Sequence, residues 1–413
     1  MEALYPDFID RLLSQGRDPH DIPVITAGAT TDWLTRFAPT LLALLDQSSM
    51  VGPPGPYLAQ HHVHLPLRTG DGPSLVLRVA SSSAMAAWPV TTPTVVLTLA
   101  GTVELEMYRQ QEDMEAGRPQ YTRRFGPWEV FAAHPGTLCA LQSSTGAVHI
   151  LATGHRPGVP GERLPVTDAD DAVARARAVL EAGVTVAGQE GTPVKAQASW
   201  LDDVPSLDLP DLRSAERISR DVLNRLANDR ALISRLVDEI PHDAERLANS
   251  RVTLLLNRLS LYQATGRGFE IRMNMNPRPA NQLIPHDHCY DFATRILTGG
   301  YVHVVRRRCD GGQGPFSADD LELGIVTVER PGSAYTLGHQ MVHQAVMEPD
   351  TVTLFIRGPR RKRSSNSVAA MVPPRESWPA PAEPHQDPAE SRPATLAEYH
   401  LMRQYLHERR LID

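Results

Sequence analysis

The sequence predicts a mainly β chain, two β-barrels with α-helices between them and at the ends. Three observations carry that expectation. Short alternating or β-branched runs bounded by Gly and Pro recur within residues 56–160 and again within 267–365. Between them the apolar spacing changes to a helical period. A hairpin-like stretch of the first region can also be laid on one in the second.

Taken in order, residues 1–55 read as a helical segment, with apolar spacing at Phe8, Leu12 and Leu13 and again at Trp33, Leu34, Phe37, Leu41 and Leu45, closed by the Gly/Pro run 51–56. Residues 56–160 read as the first barrel, with strands expected at 62–67, 74–80, 94–99, 103–108, 128–132 and 148–152. Residues 161–266 read as a helical connector that clamps the two barrels, with helices at 168–182, 212–240 and 244–263, the last capped by Gly266 and Gly268. Residues 267–365 form the second barrel: an alternating strand at 269–276, a hairpin of 285–298 with 301–306 about Gly299-Gly300, and a strand at 351–357. The basic run Arg360, Arg361, Lys362 and Arg363 reads as a solvated strand end. Residues 366–413 are a Pro-rich tail and a final helix, whose stripe of Leu396, Tyr399, Met402, Tyr405 and Leu406 is expected to pack on the body or on a second subunit of a homodimer.

The overlay sets Gly101 on Gly299, an offset of 198 residues, and Gly154 on Gly358, an offset of 204. Under these offsets Trp88-Pro89-Val90 takes the place of His286-Asp287-His288, and Cys139 that of His343. The first barrel is therefore expected to carry no metal ligands.

Composition limits the function. A chain of 413 residues with 41% hydrophobic and 22% charged residues is a globular protein of more than one domain. A net charge of −7 supplies no basic field for nucleic acid. The N-terminal stretch lacks a basic, then apolar, signal pattern, and no run reaches the length of a membrane span, so a cytoplasmic protein with no membrane partner is expected. The three cysteines have neither zinc-knuckle nor disulfide spacing.

The chemistry gathers at residues 285–301. His286 and His288, two apart on a segment read as extended, share a face and make a ready pair of metal ligands. A third histidine follows the Pro331-Gly332 turn, at His339 or His343. This His-x-His, with the hairpin glycine, the Pro-Gly turn and a later histidine, resembles the cupin superfamily over residues 268–360.

The resemblance implies a bicupin with one live site. Cupins usually place a glutamate seven residues before the hairpin glycine, where this chain has Phe292. The implied ligand set is His286, His288 and His343, with Asp291 able to join only through a bulge or a turn right after His288, and His339 an alternative third ligand. Imidazoles suit Fe(II), Zn(II), Ni(II) and Cu(II), so ligand type alone does not choose the metal; Fe(II) is the expected ion, with Zn, Ni or Mn as alternatives. Three-histidine cupins include the thiol dioxygenases and the bicupin ring-cleaving dioxygenases. The former carry a Ser-x-His-x-Tyr array where this chain has Thr353-Leu354-Phe355-Ile356-Arg357, which speaks against a cysteine-like thiol substrate. The expected function is an O2-dependent oxidoreductase, a non-haem Fe(II) dioxygenase acting on a small carboxylate-bearing metabolite. His-x-His in place of His-x-Asp argues against a 2-oxoglutarate route. The alternatives are a non-oxidative isomerase or lyase using Zn, Ni or Mn as Lewis acid, and a non-catalytic ligand-binding cupin. Arg357 is the expected carboxylate anchor, with Arg295 and Arg272 as rivals. Tyr301 and Tyr335 are candidates for hydrogen bonding or proton transfer near the metal.

Overall fold

The computed structural model describes residues 57–59, 62–68, 74–91, 94–153, 164–165, 169–182, 198–207, 212–253, 256–277, 280–312, 314–368 and 392–413. The expected helical segment at 1–55 and most of the Pro-rich tail lie outside the described residues. The chain falls into two compact units, and each includes a short stretch from the other's run of sequence: 323–328 belongs to the first, 115–122 to the second.

The first unit is built from β1 (Tyr57–Ala59), β2 (His62–Arg68), β3 (Ser74–Ala80), β4 (Ala86–Pro89), β5 (Thr94–Ala100), β6 (Val103–Tyr108), β7 (Tyr121–Phe125, of which 121–122 goes with the second unit), β8 (Val130–Ala133), β9 (Leu138–Ser143), β10 (Val148–Thr153) and β11 (Leu164–Pro165). One antiparallel sheet runs β11-β1-β2-β3-β10-β5-β8, and β4-β9-β6 runs in another. Helix α1 (Ala169–Ala182) follows.

The second unit opens with α2 (Leu212–Ala227), α3 (Arg230–Asp238) and α4 (Ala244–Asn249). Its strands are β12 (Arg251–Val252), β13 (Asn257–Ala264), β14 (Phe269–Asn276), β15 (Ala280–His286), β16 (Tyr290–Thr298), β17 (Tyr301–Arg308), β18 (Leu321–Glu329, of which 323–328 goes with the first unit), β19 (Ala334–Leu337), β20 (Val342–Met347), β21 (Thr351–Arg360) and β22 (Arg392–Pro393). Helix α5 (Leu396–Glu408) ends the chain. The order is β22-β12-β13-β14-β21-β16-β19 in one antiparallel sheet and β15-β20-β17 in the other. Strand for strand this repeats the order of the first unit. The whole is the mainly β class with a few helices that the alternation of the sequence predicts.

Both units pass from one sheet to the other on a left-handed glycine, which corrects the hairpin expected about Gly299-Gly300, because β16 and β17 lie in different sheets. Gly101 (φ 74) joins β5 to β6, and Gly299 (φ 66) joins β16 to β17. At Gly299 a Cβ would come within 2.7 Å of Thr351 Cα, so neither the dihedral nor the space admits a side chain.

Apolar side chains on the outer face of the second unit's larger sheet meet the helices. Ile271 and Met273 of β14, Ala293 of β16 and Leu354 and Ile356 of β21 join Val222, Leu223, Leu226, Ile233 and Leu236 in one buried cluster. Tyr399, Met402 and Leu406 of α5 dock into it, and Thr395 caps that helix in a reciprocal box with Glu398. Each such fully buried side chain contributes about 1.5–3 kcal/mol. The helices of this unit therefore cover its sheet from outside. The helix expected over 244–263 is corrected. It stops at Asn249, and Asn257–Ala264 is a strand whose Leu259 and Leu261 are buried against neighbours, because pairing with β14 outweighs a helical pattern of leucines. Gly268 (φ 70) then turns between two strands and caps no long helix.

Candidate metal centre

His286, His288 and His343 come together in the second unit, with a ligand-type atom of each within 4.8 Å of the others. His286 ends β15 and lies opposite His343 of β20 in the ladder. His288 sits in the break between β15 and β16, residues 287–289, where the chain passes from one sheet to the other. This corrects the single strand expected over 285–298: the two histidines converge across a turn instead of sharing a strand face.

The ring nitrogens are arranged for a shared cation. His288 Nε2 and His343 Nε2 are 2.8 Å apart. Two nitrogens each about 2.1 Å from one ion, at right angles, would stand about 3.0 Å apart. His286 Nδ1 donates to the Ile284 carbonyl at 3.0 Å, which leaves its Nε2 lone pair for the cluster. Its ring centroid is 5.0 Å from that of His288 and 4.7 Å from that of His343. Burial, and then the charge of His286, hold His288 and His343 well below the usual imidazole pKa, so both are neutral, as ligands must be. The donor set fits a divalent metal.

Phe292 occupies the wall beside the cluster, its ring 4.6 Å from that of His288 and 5.8 Å from that of His343, and it stacks on Phe355 at 4.8 Å. Asp291 has the opposite parity and is not a ligand. It accepts from the His339 backbone N–H and ring Nδ1, both at 2.7 Å, and pairs with Arg361 at 3.4 Å. Burial works to raise its pKa, but these partners outweigh it and hold the carboxyl ionised. His339 is thereby accounted for as the partner of Asp291.

Of the other expected residues, Arg357 lies on the inner face of the larger sheet with Phe355, bound to Glu270 at 2.7 Å and set over the Tyr290 ring at 4.9 Å. Tyr290 in turn lies 5.7 Å, ring to ring, from His288. Arg272 holds the same Glu270 in a bidentate pair at 2.6 and 2.8 Å. Burial pushes the Glu270 carboxyl up, and the two guanidiniums outweigh it and bring it below its ordinary value. Arg295 is a correction: it points from the outer face of β16 to Asn224 of α2 at 2.6 Å and to the Gly332 carbonyl at 3.0 Å, away from the histidines. Tyr301 donates to the Tyr335 hydroxyl at 3.0 Å, and burial followed by the Glu329 charge drives its phenol pKa far upward. Tyr335 borders the cluster through His303, on which it stacks at 4.3 Å, and through Phe292, which it meets edge-on at 6.2 Å.

Sequence reasoning missed His303, Asp287, Lys362 and Asn366. His303 is fully buried on β17, and its Nε2 lies 2.8 Å from His343 Nδ1. That contact lets His343 donate from Nδ1 and present Nε2 to the cluster. The basic run after β21 is also more than a solvated strand end. Lys362 pairs with the buried Asp287, and Arg360 donates to Cys289 Sγ at 3.6 Å.

The corresponding place in the first unit is filled. Trp88 of β4 lies opposite Cys139 of β9, the counterpart of His286 opposite His343. Trp88 meets Phe131 edge-on at 5.9 Å, Phe131 packs on Phe125 at 4.6 Å, and burial pushes the Cys139 thiol far up, leaving it inert.

No protein-family model and no curated protein sequence matches the chain. Among solved structures it is similar to Bacillus subtilis oxalate decarboxylase. A structure from a study of that enzyme's Mn(II) centres is 12% identical, over 75% of this chain and 76% of that one, at a TM-score of 0.22. Another, determined at pH 4.6, is 11% identical over 75% of each chain at a TM-score of 0.21. Similarity of this degree assigns the chain neither an activity nor a metal.

Proposed function

We propose that the second unit holds one divalent metal ion, Fe(II), on His286, His288 and His343, and that the protein is an O2-dependent, mononuclear metal oxidoreductase of the dioxygenase type acting on a small carboxylate-bearing metabolite. The observation that carries this reading is the donor set: three imidazoles, with Phe292 where a carboxylate ligand would stand. Fe(II) so bound supplies one-electron chemistry toward O2 together with a positive charge for a substrate oxygen.

The chain's own residues do the rest. The neutral ligands leave that positive charge undiminished, which favours an anionic substrate. Phe292 and Phe355 form an apolar wall beside the histidines that keeps water from one side. Arg357, with a side chain one third exposed, offers its remaining donors to a carboxylate while Glu270 and the Tyr290 ring fix its direction.

The test is O2 uptake by Fe(II)-loaded protein against a panel of small carboxylates. Uptake is expected with Fe(II), and none in the His286→Ala/His343→Ala double variant. Undiminished turnover in that variant, or turnover without O2 in protein loaded with Zn, Ni or Mn, would overturn the oxygenase reading.

A further inference from the structure

Asp287 separates two of the three clustered histidines, and its side chain is spoken for by a single distant stretch. The residue is 1% exposed. Its carboxylate pairs with Lys362 Nζ and accepts from the Asn366 backbone N–H at 2.6 Å and from Asn366 Nδ2 at 3.0 Å. In return its backbone N–H donates to the Asn366 carbonyl at 3.0 Å.

The same stretch is stitched to the turn on both sides. Val368 N–H donates to the Pro285 carbonyl at 3.0 Å, and Arg361 N–H to the Cys289 carbonyl at 2.7 Å. Ser367 forms a bridge with His286 itself. Residues 287–289 belong to no strand, so no sheet ladder of their own fixes their path. A buried carboxylate without partners is costly enough to reorganise or protonate. Here its partners all come from 362–366, so the turn keeps its form only while that stretch lies against it.

We propose that residues 361–368 act as a strap that sets the His-x-His turn, with Asp287 the positioning residue through which Lys362 and Asn366 hold His286 and His288 at metal-binding distance. Each histidine is one peptide from Asp287, so displacement of the carboxylate moves both ligands. Metal sites tolerate errors of only about 0.2 Å in ligand position. Strap docking and metal binding are then one coupled event, reciprocal by linkage. The inference rests on the metal reading above.

The test uses the full chain with Co(II) as probe, titrated by visible absorption, and amide hydrogen exchange on the wild type. Asp287→Asn and Lys362→Met are expected to weaken Co(II) binding about 10–100-fold and to alter its spectrum, as changes beside metal ligands do. Lys362→Arg, which keeps the charge, is expected to restore most of the affinity. In the wild type, Co(II) is expected to slow exchange at the amides of Arg361, Asn366 and Val368. Wild-type affinity and spectrum in Asp287→Asn would overturn the strap while leaving the metal site standing. Exchange at 361–368 indifferent to Co(II) would do the same, and needs no variant to fold. A wild-type protein that takes up no Co(II) would remove the metal reading and the strap together.

Discussion

His288 and His343 are buried deeply enough to stay neutral well below the pH at which a free imidazole takes a proton. The consequence for stability has a definite sign. An unfolded chain binds protons at these residues near pH about 6.5, whereas the folded chain resists until lower pH, so acidification favours the unfolded form. The contribution is whole above that pH and is lost as pH falls below it. The melting temperature of metal-free protein is therefore expected to drop as pH falls from about 7.5 to about 5, and the slope to be shallower in His288→Gln/His343→Gln. A melting temperature that rises over this range would contradict the assignment. At this scale the sequence was legible where the decisive relation is local. Parity along β16 separates inward Phe292 from Asp291, and so accounts for the absence of a carboxylate ligand. Parity also puts Arg357 on the inner face with Phe355. It was silent about Asp287, whose partners lie 79 residues away at Asn366, and about His303, which touches His343 only because β17 pairs with β20.

The connection from β16 to β17 shows how an element carries the site. Left-handed Gly299 turns the chain out of one sheet and into the other, where β17 pairs with β20 and brings His303 beside His343. Gly299→Ala would force φ near +66° on a side chain that also meets Thr351 backbone within 2.7 Å. It is expected to cost more than about 1 kcal/mol of stability in urea unfolding, beyond the entropic gain of alanine over glycine. A neutral or stabilising result would show that the turn relaxes. The elements misread from sequence failed for one physical reason. Leu259 and Leu261, two apart, fit an alternating period, but they follow the leucine run 254–256 with no Gly or Pro between, and the neighbouring β14, unseen by local pattern, decides that 257–264 is strand. The break at 287–289 was hidden likewise, since a turn between two sheets is held by residues 361–368 and not by turn residues of its own.

Across the whole chain, one strand order is used twice with two different interiors. The counterpart of the histidine pair is Trp88 opposite Cys139, in an interior closed by Phe131 and Phe125, and that difference was readable as the substitution of apolar residues at the overlay positions. The Trp88–Cys139 pair offers no imidazole or carboxylate to a cation, and among the described residues the one His/Cys/Asp/Glu cluster suited to a metal is His286, His288 and His343. One metal ion per chain is therefore expected. The direct measurement is elemental analysis of protein purified without oxygen, wild type beside His286→Ala. One iron per chain, lost in the variant, is the predicted result; no transition metal in the wild type, or the same metal content in His286→Ala, would contradict it.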